Sequence, residues 1–148
     1  MAILIALSAV GALIKIPSPT GTVALDSAPG YFTAAAFGPI EGGIVAGLGH
    51  LFTALTTGFP LGLPFHLFVA VQQAVWALAF WFLVTRVNIW AGVIGATFLN
   101  GVVASLLVIP VGGWGLAASL LLPLTVGSAV NVIVAAAAYK IVQRSNLI

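Results

Sequence analysis

The chain has 148 residues, of which 62% are hydrophobic and only 4% are Asp, Glu, Lys or Arg. Soluble domains carry about a quarter charged residues, so this composition excludes an ordinary soluble domain. The formal net charge of +2 is too small to indicate nucleic-acid binding, and the chain has no cysteine for a disulfide or a thiolate site. We expect one integral membrane domain over residues 1–148.

Hydropathy and the Gly/Pro punctuation together predict six apolar segments. They cover roughly residues 2–15, 29–38, 41–57, 64–85, 89–109 and 116–142. Helices are expected because an open chain in a bilayer has no other way to pair its backbone groups. The sequence therefore predicts an all-α integral membrane protein with six transmembrane helices in one bundle.

The first connection, KIPSPTGTVALDSAPGY, contains Lys15 and Asp26, two of the chain's six charged residues. The second segment is short: about ten helical residues span about 15 Å, against a hydrocarbon core of about 30 Å. Residues 16–28 must then cover the remaining depth, where irregular backbone is tolerated only if it packs in protein or lines a wet cavity. We therefore expect residues 16–28 to fold into the outer half of the bundle as a lid. The alternative is a loop that rests on the lipid headgroups.

The basic residues predict the orientation of the segments in the membrane. Arg86 follows the fourth segment, and Lys140 and Arg144 lie at the end of the sixth. Two crossings separate these positions, so all three share one side, and the positive-inside rule makes that side cytoplasmic. Both termini are then cytoplasmic. The outer face would carry Lys15, Asp26 and the connections 56–64 and 109–115, which are rich in Pro, Gly and aromatic residues.

Polar residues recur near the middle of the later segments. His50 and Thr53 share one helical face, and so do His66 and Gln73. A polar side chain that faces lipid costs free energy, so we expect these residues to face inward. Each could simply make an interhelical hydrogen bond worth about 0.6 kcal/mol. As a set beneath an outer loop, they favour a polar-lined pocket. The candidate ligand-binding residues are Lys15, Thr20, Asp26, Tyr31, His50, His66, Gln73, Trp76, Asn100, Trp114 and Asn131.

Three of these candidates are aromatic residues. Trp114 lies in a Gly-rich outer connection and could close over a ligand, while Trp76 lies three residues after Gln73. Tyr31 lies close to the first connection. Each of them could instead be an ordinary core residue or part of an interfacial belt.

Several motifs that would support other functions are missing. The chain has no GxxxxGK[ST], HExxH or GxSxG, and His50 and His66 are too far apart for one helical metal motif. Asp26 alone does not make an acid/base pair. We therefore expect no enzyme activity, no metal and no cofactor in this chain. Without a nucleotide motif it cannot energise uphill transport by itself.

The run ALSAVGALIKIPSPTGTVALDSAPGYFTAAAFGP, followed by GHLFTALTTGFPLGLPFHL, resembles an S component. S components are the substrate-binding membrane subunits of energy-coupling factor (ECF) vitamin transporters. The resemblance covers roughly residues 2–70, and the second half agrees mainly in layout. Within the family the chain looks closest to the branch assigned to α-ribazole, the nucleoside portion of the lower ligand of cobamides.

The resemblance implies a six-helix fold in a prokaryotic cell membrane, with both ends in the cytoplasm. It implies a vitamin-type ligand near the outer face, under residues 16–28 and 57–64. It also implies docking onto a transmembrane coupling subunit and two ATPase subunits, which use the ATP. Family members present an AxxxA motif on helix one to the coupling subunit, and Ala2 and Ala6 match it.

A neutral aromatic nucleoside suits these residues, because Trp or Tyr could stack on its ring and Asp, Asn, Gln and His could bond its polar groups. A strongly anionic ligand would want more cations than Lys15. Three rival functions remain at this point: a stand-alone carrier or channel for a neutral small molecule, a small intramembrane enzyme, and a structural subunit without a ligand.

Overall fold

The computed structural model describes residues 1–145, and its helices correspond in order to the six predicted segments. The elements are α1 (Ala2–Gly11), α2 (Ala28–Phe37), α3 (Pro39–Thr57), α4 (Leu63–Arg86), α5 (Ile89–Leu106) and α6 (Ile109–Arg144). A π-helical turn, Leu99–Val103, interrupts α5. Over the described residues the all-α prediction is confirmed.

Three of the helices, α4, α5 and α6, are long and apolar enough to cross a membrane. The other three are shorter or less apolar: α1 and α2 have 10 residues each, and α3 has 19 residues that include Glu41. The apolar helices and their lengths fit a multi-pass membrane protein, and the passage of all six through the bilayer stays a prediction.

The first helix ends earlier than the sequence predicts, at Gly11 rather than at residue 15. The returning backbone of the first connection packs directly on Gly11, where an added Cβ would lie 2.8 Å from the carbonyl carbon of Leu25. Residues 12–14 then form a turn, in which the N–H of Ile14 donates to the carbonyl of Gly11 at 3.0 Å. Close backbone approach, which hydropathy does not report, ends the helix.

The last helix begins earlier than predicted, at Ile109, so the expected outer connection 109–115 is wrong as a loop. Pro110 sits in the first turn of α6, where its missing N–H costs no helical hydrogen bond. Gly113 has φ 69° and ψ −177°, which breaks the helix locally. The Pro and Gly residues that suggested a loop therefore start and kink a helix.

Glycine residues allow α2, α3 and α4 to approach closely. An added Cβ on Gly30 would lie 2.7 Å from the Cα of Ala46, so the backbones of α2 and α3 are in direct contact. On another face of α3, an added Cβ on Gly47 would lie 3.1 Å from the carbonyl oxygen of Ala70 in α4. The GxxxG spacing of Gly43 and Gly47 thus packs the protein's own helices.

The first connection, residues 12–27, folds back onto the helices. Lys15 and Ala24 form an antiparallel bridge, and the N–H of Ile16 donates to the carbonyl of Val23 at 2.9 Å. Val23 is 5% exposed and Asp26 is 4% exposed. The carboxyl end of this connection is therefore packed among the helices and forms one wall of the site described next.

Candidate functional site

A cavity lies between the first connection and helices α3 to α6. Its volume is about 70 Å³, measured as the space open to the centres of water-sized molecules. A single buried water needs about 10–15 Å³ by this measure, so only a few water-sized groups fit at once. A ligand of vitamin size would require part of the wall to move.

Polar residues from five separate parts of the chain line this cavity. Thr20, Asp26, His50, His66, Gln73, Asn100 and Asn131, seven of the candidates predicted from the sequence, are on its wall. The expectation that these residues converge inside the protein agrees with the structure. Their contact with a ligand remains a prediction.

Asp26 lies at the root of the first connection, which we define as residues 24–28, where the connection enters α2. Two hydroxyl groups donate hydrogen bonds to its carboxyl group. The hydroxyl of Thr53 in α3 donates to its Oδ2 at 2.5 Å, and the hydroxyl of Ser27 donates to its Oδ1 at 2.9 Å. Burial raises the pKa of Asp26 above its usual range, and these hydrogen bonds oppose the rise by favouring the carboxylate. Gly49 makes the contact possible, because an added Cβ there would lie 2.7 Å from the carbonyl oxygen of Asp26.

Asn131 in α6 holds the same root from the opposite side. Its Oδ1 accepts hydrogen bonds from the backbone N–H groups of Ser27 at 3.2 Å and Ala28 at 2.8 Å. Its Nδ2 donates to the carbonyls of Ala24 and Gly127, both at 2.9 Å. The amide thus uses both of its donors and its acceptor oxygen within the protein. Asn131 lines the cavity, but its hydrogen bonds anchor the connection.

His50 and His66 form a buried pair between α3 and α4. The Nε2 of His50 lies 3.1 Å from the Nδ1 of His66, so one of the two nitrogens donates to the other. The rings are stacked, with centroids 5.3 Å apart. The Nε2 of His66 is buried and has no hydrogen-bond partner in the described part of the chain. His50 therefore orients His66, whose second nitrogen is left for another group.

Gln73 and Asn100 connect α4 to the π-helical turn of α5. The Nε2 of Gln73 donates to the Oδ1 of Asn100 at 2.7 Å, while the Oε1 of Gln73 is buried and finds no partner among the residues that the structure describes. Asn100 is the second residue of the π-helical turn, an irregularity that is frequent at functional sites. An added Cβ on Gly101 would lie 2.8 Å from the Cα of Thr125, so α6 approaches α5 closely at this level.

Thr20 belongs to the part of the first connection farthest from its root. Its hydroxyl lies 2.7 Å from that of Thr22, and both residues line the cavity. Gly21 between them has φ 65°, which lets the chain reverse direction there. This short turn is the tip of the first connection.

Four of the predicted ligand-binding residues are not on the cavity wall. Trp114 is 72% exposed, beside the break in α6. Tyr31 is fully buried and packs edge-to-face on Phe80 with centroids 5.3 Å apart, and Trp76 packs against the same core. These three aromatic residues do not line the cavity, because their helical faces point elsewhere.

Lys15, the fourth, lies outside the wall on the other side of Thr53. Its Nζ donates to the carbonyl of Thr53 at 3.4 Å and to the hydroxyl of Thr56 at 3.0 Å. Burial lowers the pKa of Lys15, and the attraction of Asp26 opposes that fall. Lys15 therefore ties the start of the first connection to the carboxyl end of α3.

Several wall residues were not among the sequence candidates. They are Thr22, Val23, Ala24, Ser27, Leu61, Phe65, Val69, Gln72, Ala104, Val108, Leu120, Leu124, Gly127 and Ser128. Gln72 and Ser128 carried a signal, since both are polar residues inside apolar segments. The Leu, Val and Phe residues carried none, because an apolar residue in an apolar segment does not reveal which side it faces.

The charge and chemistry of the wall limit what the cavity can do. Within residues 1–145, no three His, Asp or Glu side chains are close enough to hold a metal ion. The wall pairs amides, hydroxyls and imidazoles with an apolar side formed by Leu61, Phe65 and Val69. Such a mixture binds a small molecule that has both an apolar part and hydrogen-bonding groups.

Comparison with known proteins identifies the family to which the chain belongs. A family model described as "ECF transporter, substrate-specific component" matches residues 1–143, which include the first connection and the whole cavity wall. No curated protein and no solved structure matches the chain. The resemblance to S components is confirmed at the level of the family, whose members are prokaryotic membrane proteins that bind a transporter's substrate and are not enzymes. The chain belongs to the substrate-specific components of ECF transporters.

Proposed function

We propose that the chain captures a small vitamin or vitamin precursor at the outer face of a prokaryotic cell membrane. It then delivers this ligand inward together with a transmembrane coupling subunit and two ATPase subunits, which use the ATP. The observation that carries the proposal is the polar cavity beneath the first connection, to which that connection and four helices contribute. The chain itself uses no cofactor.

The best candidate for the ligand is α-ribazole. Its aromatic base fits the apolar side of the cavity, where Phe65 and His66 present rings with centroids 6.2 Å apart. Its ribose hydroxyls and ring nitrogen suit the buried, unpartnered atoms of Gln73 and Ser128. A ligand that leaves such groups unpaired would bind weakly, so this pairing favours a donor-rich and acceptor-rich molecule.

Residues 16–28 act as a lid in this proposal. The root of the lid is fixed by Asp26 and Asn131, whereas at the tip the hydroxyls of Thr20 and Thr22 pair with each other. Because the cavity is about 70 Å³, the tip would move outward to admit a ligand and return over it. The root would keep its position and guide the tip back.

The orientation follows the positive-inside rule. With six crossings, Arg86, Lys140 and Arg144 lie on the cytoplasmic side and the first connection on the outer side. Both termini are then cytoplasmic. Accessibility of single introduced cysteines to a membrane-impermeant reagent tests this, since the chain has none of its own. Labelling at Arg86→Cys from outside intact cells would contradict it.

Ala2 and Ala6 are proposed to contact the coupling subunit. Both are exposed on α1, where they form a small-residue stripe that permits close helix packing. We expect Ala6→Leu to leave ligand binding unchanged and to reduce uptake by the complete transporter at least fivefold. The matched control is Ala118→Leu, on an exposed position of α6. Equal uptake by the two variants would contradict the proposed docking face.

Titration of the purified chain with α-ribazole tests the proposed site. Asp26→Ala and Gln73→Ala are each expected to weaken binding at least tenfold, because both residues line the cavity. The controls are Glu41→Ala, which removes a carboxyl group away from the wall, and Gln143→Ala, which removes a glutamine away from it. If Asp26→Ala and Gln73→Ala both bind like the parent, the proposed site is wrong.

Two further measurements separate this function from its rivals. Native mass spectrometry of the purified chain should detect a co-purified small molecule, which a structural subunit would lack. Liposomes that contain only this chain should show binding without uphill accumulation. Sustained flux of α-ribazole in such liposomes would favour a stand-alone carrier or channel.

A further inference from the structure

We propose that the cavity selects its ligand by charge: it accepts an uncharged or cationic molecule and rejects the anionic form of the same molecule. For a nucleoside ligand this means that the free nucleoside binds and its 5′-phosphate does not. The inference deepens the proposed function and rests on it, because it concerns the same cavity.

The charged groups of the wall carry this inference. Among the described residues that line the cavity, Asp26 is the only one of the types Asp, Glu, Lys and Arg. The nearby cation, Lys15, is not on the wall, and its Nζ is engaged by the carbonyl of Thr53 at 3.4 Å and the hydroxyl of Thr56 at 3.0 Å. The wall therefore offers a ligand no positively charged side chain of Lys or Arg.

An anion would lose free energy in this cavity because it would give up its hydration there without a cationic partner. A phosphate carries about −1.5 to −2 charges at pH 7, and the wall has no Lys or Arg side chain to pair with it. The carboxyl group of Asp26 supplies no positive charge either, and its two oxygens already accept hydrogen bonds from Thr53 and Ser27. The uncharged nucleoside does not carry this penalty.

The wall offers neutral hydrogen-bonding groups instead. Four buried atoms on its residues have no partner among residues 1–145: the Nε2 of His66, the Nε2 of Gln72, the Oε1 of Gln73 and the Oγ of Ser128. These residues are between 1% and 7% exposed. Buried polar groups are normally hydrogen-bonded, so a ligand with hydroxyl groups and ring nitrogens supplies what they lack.

The test compares three probes on the full chain, purified in detergent and titrated calorimetrically at pH 7.5. The probes are α-ribazole, its 5′-phosphate and the uncharged dimethyl ester of that phosphate, which is at least as bulky as the phosphate. We expect the phosphate to bind about 100-fold more weakly than α-ribazole. The dimethyl ester should bind at least tenfold more tightly than the free phosphate.

Two results would overturn the inference and leave the proposed function standing. One is a phosphate that binds within threefold of α-ribazole, which would show that the cavity tolerates the charge. The other is a dimethyl ester that binds as poorly as the phosphate, because size would then explain the rejection. Neither result requires a protein variant, so misfolding of a variant cannot obscure the outcome.

Failure of all three probes to bind would reject α-ribazole as the ligand, and a second series then decides the inference. It consists of riboflavin, thiamine and pyridoxine, each paired with its own phosphate. Binding of an unphosphorylated member at least tenfold more tightly than its phosphate supports selection by charge. Equal or tighter binding of a phosphate, or no binding of any unphosphorylated member, overturns it.

Discussion

Asn131 accepts a hydrogen bond from the backbone N–H of Ser27 at 3.2 Å, although the two residues are 104 positions apart. The same amide also bonds Ala24, Ala28 and Gly127, so one side chain of α6 fixes the point where the first connection enters α2. Asp26 bonds α3 at the same level through Thr53. The root of the first connection is thus attached to two helices at once.

Replacing Asn131 with Ala should loosen this root. The change removes the hydrogen-bond partner of backbone groups of Ser27, Ala28 and Ala24. Each buried group left unpaired lowers the free energy of unfolding by about 1–3 kcal/mol. We expect a lower melting temperature in detergent, and faster hydrogen exchange at Ser27 and Ala28. Asn88→Ala is the control, because Asn88 caps α5 at an exposed site, where its side chain accepts from the N–H of Ala91. Unchanged exchange in Asn131→Ala would contradict the anchoring role.

The stability of the protein should fall as the pH rises through the pKa of Asp26. Burial raises this pKa above the ordinary value of 3.8, so the folded protein holds the proton more tightly than the unfolded chain. The resulting stabilisation is complete below pH 3.8 and is lost as the pH rises through the higher folded value. Melting temperatures measured from pH 3.5 upward should show this decline.

Asp26→Asn is the variant that assigns the decline to this residue. Without the titrating carboxyl group, the melting temperature should depend less steeply on pH above 3.8. Glu41→Gln is the matched control, since it removes a carboxyl group in the first turn of α3, away from the cavity wall. An equally steep slope in Asp26→Asn would show that another group causes the dependence.

Gly30→Ala should destabilise the contact between α2 and α3. The added methyl group would lie 2.6 Å from the Cβ and 2.8 Å from the backbone N of Ala46, distances that only a shift of the helices relieves. Overpacking of this kind typically costs about 1–3 kcal/mol. Gly115→Ala is the control, because nothing lies within 4 Å of its added Cβ. The measurement is the melting temperature of each variant, which should be lower for Gly30→Ala than for Gly115→Ala. Equal melting temperatures would contradict the close packing of α2 on α3.

His66→Ala should weaken ligand binding more than Trp114→Ala. His66 is 1% exposed on the cavity wall and its Nε2 has no partner within residues 1–145, whereas Trp114 is 72% exposed and off the wall. Losing one hydrogen bond to a buried ligand costs about 1–3 kcal/mol, so we expect about a tenfold or larger loss for His66→Ala. The ligand affinity of Trp114→Ala should stay within about twofold of the parent, because the Trp114 side chain does not line the cavity.

Titration with α-ribazole, or with the molecule that co-purifies, measures both variants of this pair. We expect His50→Ala to cause an intermediate loss of binding, since the Nε2 of His50 lies 3.1 Å from the Nδ1 of His66 and would orient that ring. A loss in Trp114→Ala that equals the loss in His66→Ala would show that the region around the break in α6 closes over the ligand.

The sequence by itself determined the class of the protein and the order of its helices. Few charged residues and long apolar segments require a helical membrane protein, because the bilayer leaves the backbone no other partners. The positions of α2 to α5 agree with the predicted segments within two or three residues. The burial of polar residues such as His66 and Asn100 could also be predicted from the sequence, since a polar residue inside an apolar segment must face inward.

Only the tertiary structure decided what each inward-facing residue does. Asn131 and Asn100 look alike in the sequence, since each is a polar residue inside an apolar segment. In the structure, the amide of Asn131 bonds the backbone of a residue more than 100 positions away, while Asn100 bonds Gln73. The first helix ends at Gly11 because the backbone of Leu25 packs on it. Tyr31 packs against Phe80 in the core instead of lining the cavity. Hydropathy and periodicity describe one segment at a time, whereas these partners come from other segments and are fixed by how the helices pack.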